Sequence, residues 1–564
     1  MRYIAYIATL IILFAALAVK AQDSLEVDSF VIVKEYVPTL SQAPKIKINP
    51  EITDSQKVDM NVKYDLLDAS IPHDFNPEPI KAATLKGEPL VRLHRNYLIL
   101  GYGTNAMPLG EFYFGQLRSK KTSYNIHGKH FSSSGISSID NSNFSENNLG
   151  FAWSRYSRKF TLSTKADYNY NAVNYYGYNQ ASPYYQSGVT DLNQDALQFY
   201  NRFSASMSFE NNQRDTSGLR HRSELGYQYV SDRFGTKESR LLLTGETSLH
   251  HNELYTFDWG VDYLRLTDGN RLAGSVYQFS NSDTLSLNNT IVYAEPGIDL
   301  RSGKWSLQAA ARLAGEFGEK SSVYVYPKAD FRFNLVKDII VPYAGISGDL
   351  KRNSYGMFTK ENPFVNSALP LLNSNETFRF YAGIRGHLSK NTSFNASLSR
   401  ASVKNLPLYV KDTNTYEQRT FNVIYDKATI TKIQAELTYE PLERWRFVLN
   451  GRYFMYDMDR EMEAWHRPNY RISALTSYML GNKIKAEVLV YLIGNQKALR
   501  YVNSLPVDET IKGTTDINLN LEYRYSKKIG LFLDFNNLAS IKYQRYQDYP
   551  TLGFNFMGGF RFSF

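Results

Sequence analysis

The chain has 564 residues, a formal net charge of +9 and no cysteine, which excludes disulfides and thiolate chemistry. Its mean hydropathy is −0.41, as in a water-soluble protein, yet its 43 Tyr and 33 Phe exceed what a typical soluble domain carries. A membrane β-barrel explains both values, because only alternate residues face lipid while aromatic girdles add Tyr and Phe. The basic balance suggests nucleic acid, but Lys and Arg gather in short predicted turns such as Lys120-Lys121 and Lys527-Lys528. We therefore predict no nucleic-acid partner.

The N-terminus has the three parts of a secretory signal peptide. Basic Arg2 precedes an apolar run from Ile4 to Val19, and a small residue, Ala21, marks the expected cleavage site. A retained anchor is the alternative, but the run of about 16 residues is shorter than the roughly 20 that a transmembrane helix needs. We predict that residues 1–21 are a signal peptide cleaved near Ala21, so that the mature protein is exported.

The next segment, residues 22–92, is rich in proline. It holds seven of the chain's 19 prolines: Pro38, Pro44, Pro50, Pro72, Pro77, Pro79 and Pro89. Proline disfavours both helix interiors and central strands, which predicts an extended periplasmic segment without a globular domain. The short apolar stretch Phe30-Val31-Ile32-Val33 is a predicted strand that could pair with a partner protein.

From residue 93 to the end, apolar and polar residues alternate in runs of about ten, the two-residue period of a strand with one lipid-facing side. In one such run Ile517, Leu519 and Leu521 alternate with Asn518 and Asn520. The runs predict an all-β fold, a transmembrane antiparallel β-barrel of about 22 strands over residues 93–564. If both ends of the barrel chain are periplasmic, every second connection should be short. The long connections, near 181–197, 269–288, 352–375, 404–420 and 496–514, all fall in the alternate, extracellular set.

Three features together resemble the barrel of TonB-dependent receptors. The first is the strand number, the second is the stretch Leu533–Tyr543 with its Asp-Phe-Asn-Asn-Leu sequence, and the third is Tyr549-Pro550-Thr551-Leu552-Gly553 before a last strand that ends in Phe564. Phe554 stands where the family often has arginine. Residues 22–92 are too few for the family's globular plug, so the whole chain is most similar to plugless receptor-like barrels of Bacteroidota outer membranes.

This resemblance implies an outer-membrane protein that transports or translocates an unidentified solute and is not an enzyme. The alternative is a non-enzymatic scaffold subunit of an envelope assembly or surface-export complex. A lumen enclosed by 22 strands is normally plugged, so we expect closure by the N-terminal segment, by infolded loops such as 352–375, or by a partner. The expected partners are the lipid bilayer with lipopolysaccharide, the barrel-assembly machinery acting on the strand that ends in Phe564, and a periplasmic or surface lipoprotein. No cofactor is expected.

One aromatic cluster is a candidate ligand contact. It comprises Tyr175, Tyr176 and Tyr178, with Tyr184 and Tyr185 in the same predicted outer loop. Aromatic faces stack on sugars and other ligands, whereas packing in a membrane-interface girdle is the alternative explanation. The sequence leaves both interpretations open.

The histidines give weaker signals. His127 and His130 lie three residues apart on a predicted strand and so point to opposite faces, which argues against a shared metal ion. His466 is the best-placed residue for a hydrolytic site near the outer rim, but its neighbours Glu461, Glu463 and Arg467 favour a solvated loop. We therefore predict no metal and no catalytic residue.

Overall fold

The computed structural model describes residues 95–116, 119–177, 196–212, 218–267, 286–319, 321–336, 339–413, 418–502 and 505–564. The predicted signal peptide 1–21 and the segment 22–92, including Phe30, Val31, Ile32 and Val33, lie outside the described residues. So do Tyr178, Tyr184 and Tyr185. In the described part of the chain, no helix is both long and apolar enough to cross a membrane.

The described residues form strands joined by turns and loops, with one short helix. In chain order these elements are β1 (Asn96–Gly103), β2 (Met107–Gly115), β3 (Thr122–Ser133), β4 (Phe144–Tyr156), β5 (Phe160–Asn174), β6 (Leu197–Asn211), β7 (Leu219–Asp232), β8 (Lys237–His250), β9 (Leu254–Thr267), β10 (Ser286–Arg301), β11 (Trp305–Phe317), β12 (Ser322–Phe333), β13 (Val341–Lys351), α1 (Tyr355–Glu361), β14 (Ser374–Ser389), β15 (Thr392–Lys411), β16 (Phe421–Leu442), β17 (Trp445–Met458), β18 (Tyr470–Leu480), β19 (Ile484–Ile493), β20 (Gln496–Val502), β21 (Leu505–Ile511), β22 (Thr514–Arg524), β23 (Ile529–Asn536), β24 (Gln544–Tyr546), β25 (Tyr549–Pro550) and β26 (Asn555–Ser563).

Twenty-two of these strands form one closed antiparallel sheet. Strands β1 to β19 pair in sequence, the ring continues through β22, β23 and β26, and β26 pairs with β1 to close it. The hairpin β20–β21 and the small pair β24–β25 stand outside the wall. The predicted barrel of about 22 strands is confirmed. Closure removes every free sheet edge at the seam, as a membrane barrel requires.

The two faces of each wall strand differ as the alternation predicts. On β9, Tyr255, Phe257 and Tyr263 are exposed on the outer face. Between them lies Asp262, which faces the lumen and forms a 2.8 Å ion pair with Arg240 of β8. On this strand apolar side chains thus line the outside, while the charged Asp262 inside the lumen is paired.

The connections sort by length between the two ends of the barrel. One end, the short-turn end, carries the connections 116–121, 157–159, 212–218, 251–253, 302–304, 334–340, 390–391, 443–444, 481–483 and 525–528. The other end, the long-loop end, carries every long connection, including 175–196, 268–285, 352–373, 494–513 and 537–554. One boundary was wrong: the first part of the predicted loop 404–420 is strand, because β15 continues to Lys411 after a register shift between Val403 and Leu406.

Candidate functional site

The connection between β13 and β14, residues 352–373, folds across the long-loop end, and we call it the mouth loop. It contains α1, whose first turn is capped by Ser354 accepting a 3.1 Å hydrogen bond from the Met357 amide. The carboxylate of Glu238, at the start of β8, accepts hydrogen bonds from the amides of Tyr355 at 2.6 Å and Gly356 at 3.2 Å. A carboxylate from the wall therefore satisfies the amides that a helix N-terminus leaves free.

Asp232, the last residue of β7, is the main anchor on this side of the mouth. Its carboxylate accepts hydrogen bonds from the Tyr355 hydroxyl at 2.8 Å, from the Ser367 hydroxyl, from Gln198 Nε2 at 3.2 Å and from the Thr236 amide at 2.8 Å. Two residues of the mouth loop that are twelve positions apart, Tyr355 and Ser367, thus bind the same buried carboxylate. Four donors compensate for the desolvation of that charge.

The first residue of the mouth loop is held by a second acidic residue. Arg352 reaches Asp262 of β9 with Nε 3.2 Å from Oδ2, and its NH2 donates to the Asp262 carbonyl at 2.6 Å. It also donates to Asn289 of β10. Because Arg240 pairs with the same carboxylate, two arginines from different elements share Asp262. The loop is therefore tied to the β8–β10 wall where it begins.

The far side of the mouth loop contacts a different part of the wall. Val365 pairs with Phe421 of β16 in a parallel bridge, and Asn366 Nδ2 donates to Asp412 at 2.9 Å. Glu361 accepts 2.9 Å and 2.6 Å hydrogen bonds, at its carboxylate from the Tyr409 hydroxyl and at its carbonyl from the Tyr546 hydroxyl.

These contacts reach widely separated parts of the barrel. β6–β9 are separated from β15–β16 by β10–β14, and Tyr546 belongs to the connection between β23 and β26, further round the ring. A single loop that touches all three regions must cross the bore. The mouth loop therefore obstructs the long-loop end of the lumen.

An apolar core fixes the mouth loop in place. The fully buried members with less than 2% of their surface exposed are Tyr200, Leu264, Tyr355, Phe358, Val365, Phe421 and Tyr549. Phe364 stacks on Tyr549 with ring centroids 3.7 Å apart, and burial raises the pKa of the Tyr355 hydroxyl well above its ordinary value. We call this set the mouth core. It resembles the interior of a soluble domain built at the end of a membrane barrel.

The lumen wall nearer the short-turn end has a different character. A cavity of about 660 Å³ lies against β6–β14. Its lining includes Arg220, Arg222, Glu246, Asp299 and Arg301. The described residues thus leave a polar space in the lumen, whereas they fill the mouth with apolar side chains.

Of the predicted tyrosine cluster, the structure describes Tyr175 and Tyr176, and Tyr176 packs against the mouth core. Tyr175 is completely buried; its hydroxyl donates to the Val365 carbonyl at 3.3 Å and accepts from Gln198 Nε2 at 3.1 Å. Tyr176 donates to the Pro550 carbonyl at 3.0 Å, and burial raises its pKa to about 12. Both rings pack against loops rather than in a membrane girdle. A ligand could reach Tyr175 only after the mouth loop moved, so its ligand contact stays a prediction.

His466 is not the solvated loop residue that its charged neighbours suggested. It is 7% exposed, and its backbone has a φ of 57°. Nδ1 lies 2.8 Å from the Tyr409 carbonyl, and Nε2 accepts from the Gln547 amide at 3.3 Å. Burial lowers its pKa to about 4. Both ring nitrogens are occupied by the main chain, so this imidazole is not positioned as a general base.

The other two histidines lie on opposite faces of β3, as expected. His127 stacks on Tyr113 with centroids 4.5 Å apart, whereas His130 Nδ1 lies 2.7 Å from Asn147 Oδ1. Over the described ranges, no group of three or more His, Cys, Asp or Glu side chains has the arrangement of a metal site.

Sequence reasoning missed the residues that hold the mouth loop, chiefly Asp232, Glu238 and Tyr355. A usable signal was nevertheless present. The loop 352–375 is one of the lumen closures expected from the sequence, and its apolar residues are Tyr355, Met357, Phe358, Phe364, Val365, Leu369, Leu371 and Leu372. An extracellular loop with so many apolar residues has to bury them, and the lumen is the nearest space.

Comparison with known families now assigns the barrel. The family described as "TonB dependent receptor-like, beta-barrel" matches residues 130–538, more than half of the chain. The chain belongs to this family. It is therefore a TonB-dependent-receptor-like barrel of the outer membrane, as the C-terminal motifs predicted. No protein with a curated description matches the chain.

Solved structures support the same fold. The siderophore receptor PirA from Acinetobacter baumannii is similar with a TM-score of 0.62 and 13% identity, over 85% of this chain and 81% of that one. The ferric-catecholate import receptor Fiu from E. coli K12 gives 0.61 and 11%, over 84% and 82%. The copper transporter OprC gives 0.61 and 14%, over 84% and 83%. At these identities the likeness concerns the fold alone.

Proposed function

We propose that this protein is a gated transport barrel whose extracellular mouth is closed by its own mouth loop. The family supports transport across the outer membrane, and the rule that long loops lie outside places the mouth at the cell surface. The observation that carries the proposal is the set of contacts from residues 352–373 to β6–β9 on one side and to β15–β16 and residue 546 on the other.

The mouth loop suits a closure that opens as a unit. Its anchors on the β7–β8 side include the buried carboxylates of Asp232 and Glu238. Its apolar side chains pack in the mouth core both on this side, against Tyr200 and Leu264, and on the opposite side, against Phe421 and Tyr549. Loss of the polar anchors would release one side of the loop while the other side stays attached. Solute would then pass from the mouth into the polar cavity along β6–β14.

The remaining parts of the chain are assigned by the same proposal. We infer that residues 22–92 form a periplasmic segment without a globular plug, in which Phe30, Val31, Ile32 and Val33 can pair with a partner strand. The barrel would be non-enzymatic, and its terminal strand ending in Phe564 would serve the barrel-assembly machinery. A lipoprotein partner and contact with lipopolysaccharide remain part of the proposal.

Conductance in planar lipid bilayers tests the gate. Residues 353–372 would be replaced by a short Gly-Ser linker, and the matched control would replace residues 136–141 of the connection 134–143. The main hydrogen bonds of that connection are internal or reach Asn105, so its loss should leave the mouth loop in place. We expect a large, steady conductance from the mouth-loop variant and a closed barrel from both the unaltered chain and the control.

Deletion of residues 23–90 completes the test. We expect this variant to conduct little, because the mouth loop still crosses the bore. A large conductance from this deletion alone would mean that the N-terminal segment closes the barrel, and the mouth-loop proposal would be wrong. If no variant conducts, including one that lacks both segments, the scaffold alternative is favoured, and a stoichiometric envelope partner in detergent extracts would support it.

A further inference from the structure

The barrel wall has a discontinuity between β12 and β13. On one side β12 pairs with β11 along its whole length, from Ser322 to Phe333. On the other side it pairs with β13 only from Ala329 to Arg332. Residues 322–328 of β12 thus have a ladder partner on one edge and, among the residues that the structure describes, none on the other. We call this the β12 edge.

The discontinuity arises because β13 leaves the plane of the sheet. Its register on β14 shifts between Ser347 and Asp349. Beyond the shift Leu350 packs with Ile291, Ala314 and Tyr326, on the lumen side of β10–β12. The upper part of β13 therefore lies over the inner face of its neighbours and leads into the mouth loop.

The upper part of β13 remains paired with β14 up to Lys351, but on the β12 side it is held by side chains. Arg312 of β11 pairs with Asp349 at 2.7 Å, and the Tyr326 hydroxyl donates to Asn375 of β14 at 2.9 Å. A Cβ added at Gly348 would lie 2.6 Å from the Tyr326 ring, which shows how closely β13 covers the inner face. These contacts close the gap from the lumen side and leave the β12 edge open outward.

Exposure confirms that the outer side of the β12 edge lacks a neighbour. Val323 is 75% exposed and Val325 is 63% exposed. Leu313, the direct cross-strand partner of Val325 on the paired side, is 49% exposed. The valines stand on the outer face, next to the edge at which no described strand pairs with β12.

We propose that the β12 edge binds an extended segment of another polypeptide as an added strand. Any unpaired amide or carbonyl that faces acyl chains needs another hydrogen-bond partner, because acyl chains supply none. An extended backbone satisfies such an edge with a regular ladder. Pro327 has no amide hydrogen and marks the lower end, so the site takes about six residues, or roughly 20 Å of strand. Alternate apolar side chains of the guest would cover Val323 and Val325.

A second copy of this chain fits the edge less well. Two barrels in one membrane, related by a two-fold axis along its normal, would present the same residues at the same height. In a parallel ladder, however, a residue does not hydrogen-bond to the residue directly opposite it. It bonds to the two residues before and after that one on the neighbouring strand. The geometry therefore favours a different polypeptide. The inference holds whether or not the barrel transports a solute, so conductance measurements leave it untouched.

Photocrosslinking tests the site. Because the chain has no cysteine, a thiol-reactive label will attach to this protein only at an introduced cysteine. Val325→Cys would be labelled with a benzophenone maleimide in outer-membrane vesicles from the native host, with Leu313→Cys as the control at the same depth. We expect adducts at position 325 that map to one short segment of one polypeptide, at least several-fold above position 313. Adducts with lipopolysaccharide or phospholipid only, or equal polypeptide labelling at both positions, would overturn the proposal.

Amide hydrogen exchange on the unaltered chain gives a second readout. In native membranes those amides of residues 322–328 that face away from β11 should exchange as slowly as the amides of β11, and their protection should disappear when the barrel is purified alone. Val325→Lys, a charge of the kind that blocks edge pairing, should remove the protection in membranes, whereas Leu313→Lys should not. Equally fast exchange in native membranes and in the purified barrel would show that no strand is bound. If Val325→Lys fails to fold, the comparison on the unaltered chain still decides the question.

Discussion

The barrel has a tall side and a low side, and they are stabilised differently. On the tall side β15 has 20 residues and β16 has 22, about twice the 9–11 that a membrane strand needs. On the low side β1 and β23 have eight residues each and β26 has nine, which is barely enough to span. The tall strands extend beyond the bilayer and support the mouth core, whereas the low strands close the ring.

The packing of the two sides follows from this difference. The mouth core is built from large aromatic side chains that interlock above the membrane. At the seam between β23, β26 and β1, the ring of Phe532 instead lies against glycines, and a Cβ at Gly101 would be 2.9 Å from it. Function can therefore be altered at the mouth without unfolding the barrel, whereas the seam tolerates little change.

The largest expected effect comes from breaking the seam. A Cβ at Gly559 would collide with the carbonyl oxygen of Leu100 on β1 and with the Phe532 ring. A clash with backbone cannot be relieved by a side-chain rotation, so Gly559→Ala should prevent β26 from pairing with β1. We expect loss of most of the heat-modifiable folded band on electrophoresis.

The control for this variant is Gly451→Ala, on the tall side. The nearest atoms to a Cβ there are 3.9 Å away, so we expect a normal folded yield. If Gly559→Ala folds as well as Gly451→Ala, the seam is more adaptable than its packing indicates, and the contrast between the two sides fails.

A smaller effect is expected from breaking the mouth while the barrel stays folded. Asp232→Ala removes the carboxylate that accepts from Tyr355, Ser367, Gln198 and Thr236. Each buried polar group left without a partner costs about 1–3 kcal/mol, so the mouth loop should detach on this side. We expect frequent conductance openings in bilayers with an unchanged folded band.

Tyr355→Phe should produce a weaker form of the same effect. It removes one hydrogen bond, at a cost of about 1 kcal/mol, and keeps the aromatic ring. Its openings should be rarer than those of Asp232→Ala. Tyr102→Phe, at a residue that is 63% exposed, is the matched control and should remain closed. Closed barrels in all three variants would show that Asp232 does not hold the gate.

Much of this fold could be predicted, since each wall strand carries its own signal. Membrane and lumen impose opposite polarities on alternate residues, so a run such as residues 517–521 identifies itself without reference to its neighbours. Beyond the membrane, where the two faces of a strand no longer meet lipid and lumen, the alternation of apolar and polar residues no longer identifies the strand. β15 changes register between Val403 and Leu406, which interrupts the alternation and made the top of the strand look like a loop.

The mouth could not be predicted in the same way, because it depends on residues far apart in the chain. Asp232 and Tyr355 meet only because β7 and the mouth loop lie at the same end of the lumen. His466 looked solvated because its neighbours in sequence are charged. Its neighbours in space are Phe421 and Tyr546, with ring centroids 5.3 Å and 6.0 Å away.

The mouth should also respond to pH, and this response should depend on His466. Burial lowers its folded pKa to about 4, against 6.5 when exposed, so opening of the mouth core takes up a proton between these values. Above pH 6.5 the ring is neutral whether the mouth is closed or open, and the closed mouth keeps its full stability. As the pH falls from 6.5 towards 4, the exposed ring of the open mouth is protonated first, and the closed mouth loses up to about 3 kcal/mol of stability relative to it. Openings should therefore increase from pH 7 to pH 4.5.

His466→Asn separates this histidine from the acidic groups around it. Asparagine accepts a φ of 57° more readily than most residues, so the backbone of the turn should be kept while the titrating ring is lost. The variant should open more often than the unaltered chain at pH 7, because the mouth core loses a buried ring, but its openings should vary less between pH 7 and pH 4.5. An undiminished acid response would mean that a group other than His466 titrates and that this buried ring does not set the pH response of the mouth.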